Sequence, residues 1–246
     1  NLNNSFFVNA TATGDNTGVN WINSYNTLQA AVCNVCADTI RVAAGTYYPA
    51  TTTRDSSFYI DRPITMLGGY PSFGNPAEDL RDANLNTTII DGNIGSQNDS
   101  TDNSRTLLVI VGTKDSVVID GFTFKNGFNS NGGIFFGTGS SAGIYTYNNH
   151  TIIRNCNFLN NTGRLGGAIA VEAYTTCKIT GSLFFSNNAS NYGGAIHFSG
   201  DSLIVSNAVF EKNNSFGEGG AIKLTSGIFN ISNSVLYQNF TIGTNL

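Results

Sequence analysis

The phrase Gly-Gly-Ala-Ile occurs at 166–169, 193–196 and 219–222, at spacings of 27 and 26 residues, with a weaker Gly132-Gly-Ile-Phe135 upstream. A second pattern, Phe-x-x-Asn, interleaves with it every 26 residues at Phe158–Asn161, Phe184–Asn187 and Phe210–Asn213, and again as Leu236–Asn239. Two further columns keep the same step: Ile153, Ile179, Val205 and Ile231, and the small-residue column Cys156, Ser182, Ala208 and Ser234. A fixed period of this size marks a stack of equal structural units, and it constrains the fold more than any composition statistic.

Each unit holds short alternating runs bounded by Gly and Asn, such as Ile179-Thr-Gly-Ser-Leu-Phe184, and no run with helical period. One unit is therefore a lap of two or three short strands, and equal laps stacked at strand spacing form a parallel β-helix. The columns become ladders. Phe158, Phe184, Phe210 and Leu236 are expected to stack inside the coil, with each buried side chain contributing roughly 1.5–3 kcal/mol. Asn161, Asn187, Asn213 and Asn239 are expected just past a strand, where an amide satisfies turn backbone, tolerates a left-handed conformation and hydrogen-bonds along the stack. The glycine pair fits a tight corner with close approach between coils. Cys156 reads as a small buried group, and a bond from it to Cys177 is not expected.

Upstream the repeat loosens. Ile119-Asp-Gly-Phe-Thr-Phe124 is the same rung one period earlier, but Phe124 to Phe158 spans 34 residues. The excess is placed in the loop Gly137–Gly143. Ile90-Asp-Gly reads as a still earlier rung, followed by a polar loop from Asn93 to Arg105, and loops thrown out of a solenoid are where binding function concentrates. At the N-terminus, Tyr25, Leu28, Ala31 and Val32 fall on one helical face with Ser24 as the expected N-cap. Such a helix would close one end of the core. Residues 1–60 are read as this cap with the first coil, and 61–246 as the β-helix, in one all-β domain. At the other end Asn230–Leu236 is still a full rung, so more coils or another domain are expected beyond Leu246.

Only 11% of residues are charged and the formal net charge is −4, with the 12 basic residues scattered, which argues against a nucleic-acid partner. No stretch approaches the ~20 apolar residues of a membrane helix. Cys33 and Cys36 form a Cys-x-x-Cys that suits a local disulfide or two free thiols better than half a metal site.

Several segments carry a family resemblance: "ATATGDNTGVNW", "TLQAAV", "DTIRVAAGTYYP", "FYIDRPITMLGGYPSFGNPAEDLRD" and "NTTIIDGNI". They resemble the opening of secreted right-handed β-helix proteins of the pectin-lyase-like superfamily, especially large surface proteins of Bacteroidetes-type bacteria. The Gly-Gly-Ala-Ile and Phe-x-x-Asn repeats are similar to those of polymorphic outer-membrane proteins, whose family role is adhesion. The resemblance implies a right-handed coil and an extracellular or cell-surface location, and leaves activity open because this scaffold serves lyases, hydrolases and adhesins alike.

Pectinolytic members need clustered aspartates, or calcium-holding acids beside an Arg or Lys. Here there are four Glu (Glu78, Glu172, Glu211, Glu218), and the repeats carry one Asp, Asp201, after Asp120. Catalytic residues of the family map to no position, so none is assigned. A calcium loop from Asp91, Asp99, Asp102 and Asp120 is the one cofactor the acids allow, and its spacing matches no defined ligand pattern. His197, in column with Ala170 and Lys223, is expected on a solvated outer face. His150 is the other histidine. Arg54, Arg62, Arg81 and Arg105 are expected to anchor the early loops, while Tyr145, Tyr147 and Tyr192 are aromatics able to stack on sugars. Asn-x-Ser/Thr triplets follow from an Asn-rich composition and mean glycosylation only in a eukaryotic source.

The reading that follows is a non-catalytic extracellular stalk or adhesin-like domain facing a glycan or a cell-surface protein. The alternative is a polysaccharide lyase or glycoside hydrolase. A weaker one is an ice-binding solenoid, against which the variable outward column Ala170, His197, Lys223 speaks.

Overall fold

A computed structural model describes residues 4–49, 52–113, 115–130 and 141–243. Its strands form four sheets of eight, seven, five and six strands, and every pairing among them is parallel. Neighbours within a sheet are one lap apart in sequence, which is the topology of a parallel β-helix. The lap Thr176–Thr180, Leu183–Phe185, Asn188–Tyr192 and Ile196–Phe198 visits the sheets in turn, here called sheets 1 to 4. A regular lap thus has four strands rather than the two or three expected. The additional strand is short, as in Phe128–Asn129 or Asn214–Ser215, and too polar to show an alternating pattern.

One continuous core runs through the coil from Val8 and Leu28 to Ala221. Phe124, Phe158, Phe184 and Phe210 are fully buried and stacked, with ring centroids 5.2, 4.9 and 4.5 Å apart and planes within 7° of parallel. Such pairs add about 0.5–1.5 kcal/mol each beyond burial. Leu236 extends the column on the last coil. Ile153, Ile179 and Val205 form a second buried column continued by Ile231. The small column is explained by a backbone contact: Ser182 Oγ accepts from Cys156 N, and Ser234 Oγ accepts from Ala208 N, each at 3.2 Å.

The asparagine ladder is complete. Asn187 Oδ1 accepts from Asn161 N at 3.2 Å and from Asn161 Nδ2 at 3.1 Å, while its own Nδ2 donates to Phe158 O and Asn213 Oδ1, both at 2.9 Å. Both lone pairs and both hydrogens of the buried amide are used. The ladder residue is not itself left-handed: that conformation belongs to the residue before it, at Asn126, Asn160, Ser186, Lys212 and Gln238, with φ of 52–60°. In the Gly-Gly-Ala-Ile corner the two glycines serve different ends. Gly193 has φ +67°, and a Cβ on Gly194 would lie 2.0 Å from Gly220 O of the next coil.

Three boundaries differ from the sequence reading. The helix is Leu28–Val32, capped by Thr27, whose side chain accepts from Ala30 N at 3.3 Å. Ser24 does not cap it because Tyr25 is bridged in parallel to Val8 and hydrogen-bonded to Phe7 and Asn9, which holds this segment extended along the sheet edge. The helix packs Leu28, Ala31 and Val32 against Ser5–Val8, Thr39–Ala43 and Phe58–Ile60, closing that end of the core. Ile90 pairs with Phe124 rather than standing in the Ile119 column, which Met66 occupies. The early rung is therefore split, with 71–87 looping out between Ile64–Tyr70 and Thr88–Asp91. Finally, Phe128 pairs with Thr162 and Ile144 with Ile169, so the surplus of the 34-residue step falls between Asn129 and Ile144, and Ser141–Gly143 are the entry to a strand. Gly132–Phe135 and the first part of the loop Gly137–Gly143 lie outside the described residues.

Replacing Asn187 by Ala would strand Asn161 N and Phe158 O in a dry interior, at about 1–3 kcal/mol for each unsatisfied group. Urea unfolding should therefore show a loss of roughly 3 kcal/mol or more, whereas Asn84→Ala, at an exposed position, should change stability by less than about 0.5 kcal/mol. Equal effects of the two would mean the ladder is not what holds the coils.

Candidate functional site

The split rung creates a groove of about 350 Å³ at the corner between sheets 1 and 2, lined by Arg81, Asp82, Asn84, Asp120, Thr123, Asn155 and Asn157. Arg81 comes from the 71–87 excursion. Its Nε donates to Gly68 O at 2.7 Å, and its Nη2 to Asp120 Oδ1 at 2.9 Å and Asp120 O at 3.0 Å. Asp120 also accepts from Asn155 Nδ2 at 3.0 Å and pairs with Arg154 at 3.4 Å. Asp120 is thus neutralised in the groove wall by Arg81 and Arg154, and Asp82 accepts from the backbone of Asn84 and Leu85, beside the amides of Asn84, Asn155 and Asn157. Arg54, Arg62 and Arg105 likewise anchor: Arg54 to the carbonyls of Asn103 and Phe128, Arg62 to those of Val32 and Asn34, and Arg105 to Asp55 at 2.7 Å.

The four aspartates considered for calcium do not converge. Asp91 holds Lys125 at 3.1 Å and Asn126 at 2.9 Å, Asp99 caps Thr101, Asp102 accepts from Ser96 N, and Asp120 is held as above. Among the described residues no group of three or more His, Cys, Asp or Glu is placed to hold a metal ion. Cys33 and Cys36 are free, exposed thiols, and Cys33 Sγ accepts from Gln29 Nε2 at 3.0 Å. Cys156 and Cys177 are buried, and burial pushes each thiol up to about 12.

His197 is corrected from a solvated residue to a buried one, 7% exposed. It does sit outward on sheet 4, between Ala170 and Lys223, but the surface around it is covered. Val109, Val111, Tyr145 and Ala170 form a small cluster on that sheet, packed by Tyr147. The His197 Nδ1 stands 3.9 Å from Glu172 Oε1 with no hydrogen bond, and its Nε2 is 3.4 Å from Thr225 Oγ1. Burial, with a smaller contribution from the Lys223 charge, lowers the imidazole to about 4. Burial also raises the Glu172 carboxyl, opposed by a 2.7 Å hydrogen bond from Ser199.

The aromatics are rearranged too. Tyr145 is buried at 4% exposure and is no stacking platform, and Tyr192 lies under the Lys223 ammonium, 5.8 Å from its ring centroid. Tyr147 remains, and it is joined by Tyr174, which the sequence reading missed: 68% exposed, with φ +59°. The rings meet edge to face, centroids 6.4 Å apart at 76°. Tyr174 borders a cavity of about 430 Å³ whose lining also includes Gly112, Asn148, His150 and Thr176. The legible trace of Tyr174 was the Gly-Gly-Ala-Ile spacing of 27 against 26 for Phe-x-x-Asn. Ile169 to Thr176 takes seven steps where Ile196 to Ser202 takes six, so this corner holds one residue more.

Comparison with protein-family models, curated proteins and solved structures returned no significant match. No helix among the described residues is long and apolar enough to cross a membrane.

Two outcomes follow from the buried groups. Between the ordinary histidine value of 6.5 and about 4, the unfolded chain takes up a proton at residue 197 that the folded chain refuses, so stability should fall as pH drops through that window. Glu172 acts in the opposite sense, since its folded carboxyl keeps a proton to higher pH than the unfolded one. His197→Gln should therefore flatten the acid side of a Tm-versus-pH curve, and a curve unchanged by it would show that residue 197 is already solvated. With a thiol reagent at mild alkaline pH and no reductant, Cys33 and Cys36 should react at once and Cys156 and Cys177 only after unfolding.

Proposed function

We propose that this chain is a non-catalytic, extracellular or surface-attached β-helix, adhesin-like in role, whose corners and side grooves engage a surface glycan or a cell-surface protein. The observation that carries this reading is the fate of the ionisable groups. Asp120, the most buried carboxylate of the groove, is tied to Arg81, Arg154 and Asn155. Asp91, Glu78 and Asp55 are each spent on a cation. Apart from Asp82, what the two cavities described offer outward is mainly amide, hydroxyl and phenol, which suits recognition better than acid–base turnover. The resemblance of the N-terminal segments to pectin-lyase-like surface proteins, and of the repeats to polymorphic outer-membrane proteins, supports export and adhesion. An ice-binding role gains no support from sheet 4, whose outward column is Tyr145, Ala170, His197 and Lys223.

One observation favours the enzymatic alternative, a polysaccharide lyase or glycoside hydrolase. Glu172 and His197 are a close, largely buried pair whose surroundings raise the carboxyl and lower the imidazole, and perturbed groups of this kind cluster at functional sites. The two readings separate in one assay. Incubation with neutral and acidic polysaccharides, with and without calcium, should yield neither unsaturated nor reducing-end products while the protein is retained on at least one of them. Product formation abolished by Glu172→Gln would establish the enzyme instead.

A further inference from the structure

Left-handed backbone at a corner is ordinarily given to Gly or Asn, and the two preceding coils obey: where the chain leaves sheet 4 they place Gly112 at φ +67° and Asn148 at φ +52°. The third places a tyrosine there. A large side chain in this region is strained; Lys212 and Gln238 carry the same conformation to set the ladder residues Asn213 and Asn239, whereas Tyr174 is followed by Thr175 and its ring is mostly in solvent, so neither the ladder nor burial offsets its strain. The lengthened corner holds that ring beside Tyr147, over the cavity.

The floor is rigid. The Asn149 amide is fully used, donating to Ile110 O and Tyr147 O and accepting from Thr146 and Thr151 hydroxyls, all within 3.0 Å. The rim is not satisfied in this way. The Asn148 amide, the Thr176 hydroxyl and both phenols make no hydrogen bond among the described residues, and His150, bound through Nδ1 to Ser116 Oγ at 3.0 Å, keeps Nε2 free. Among the described residues no Asp, Glu, Lys or Arg lines the cavity. We propose that this corner is a binding site for an uncharged saccharide unit, its C–H face against Tyr174 and its hydroxyls met by Asn148, His150 and Thr176. Two aromatic planes at a steep angle fit one ring face and the edge of the next unit. A uronate would find no cation among the described lining residues to meet its carboxylate, so the class proposed is neutral sugar. This inference rests on the reading of the chain as a glycan-recognising solenoid.

Affinity electrophoresis through gels containing neutral polysaccharides (xylan, glucomannan, mixed-linkage glucan) or acidic ones (polygalacturonate, alginate) tests it. At least one neutral polymer should retard the protein and the acidic ones should not. Tyr174→Gly should weaken that retardation at least about tenfold, through loss of the stacking face. Its Tm should be equal to or above that of the parent, since glycine adopts this backbone freely. Tyr174→Phe should keep most of the retardation. Retardation by a neutral polymer that survives Tyr174→Gly, or the absence of any neutral ligand, overturns the site. If an acidic polymer is bound regardless of residue 174, the site falls while the recognition reading stands. Cleavage of the retarding neutral polymer, with retardation still lost in Tyr174→Gly, overturns the non-catalytic reading and leaves the site.

Discussion

A carboxamide has two donors and two acceptor lone pairs, and in Asn187 and Asn213 all four are spent on the neighbouring coils, while Asn161 uses three. The rest of the structure depends on this arrangement. Each amide ties one coil's backbone to the next at a corner where strand pairing is interrupted, and the preceding left-handed residue sets it there. Because the amide is buried, no shorter or charged side chain replaces it without leaving unpaired groups in a dry interior. The 26-residue lap is thus pinned at one point per turn. The phenylalanine stack, three residues earlier, is held at close aromatic spacing by the same register.

Pinning one corner leaves the others free to vary. The regular coils absorb a residue before Ile169 or after it without moving Phe184 or Asn187, and the early coils throw out 71–87 and 93–105 between paired strands. Each excursion needs tethering, and here the few charges of a sparsely charged chain are used. Arg81 reaches back to Gly68 and across to Asp120, and Arg54 spans from its own loop to Asn103 and Phe128. Burying an ion without a partner is costly, so these pairs sit where backbone carbonyls complete the arginine's hydrogen bonds.

The columns were legible because they repeat, and Phe158, Phe184 and Phe210 and the four ladder asparagines stand where periodicity placed them. What failed had no period to lean on. Ile90-Asp-Gly copies Ile119-Asp-Gly letter for letter, yet it lies in the next sheet, because the rung before it is split by a 71–87 excursion that local pattern cannot see. Ser24 is a good N-cap residue three positions too early, displaced by the bridge of Tyr25 to Val8, a contact between segments. His197 was put on the right face and given the wrong environment. Alternation reports which way a side chain points, and whether anything covers it is a tertiary matter.

The same logic locates recognition on this scaffold. Side chains on the sheet faces belong to ladders, and a change there must match the coils above and below. A corner carries no such obligation once the asparagine has fixed the lap, so its length and its residues vary from coil to coil. The exit from sheet 4 shows the freedom in use: glycine, then asparagine, then tyrosine occupy a left-handed turn. The first two are what backbone geometry alone would select. The third departs from it, is not buried in compensation, and stands beside an aromatic neighbour and solvent-facing polar groups open to a ligand. Ser186, Lys212 and Gln238 share that backbone, but each sets a ladder asparagine in place, and Tyr174 sets none. A residue that costs stability and neither packs nor sets the ladder is explained by what it contacts outside the chain, which ties this departure from local preference to the surface chemistry of the repeats.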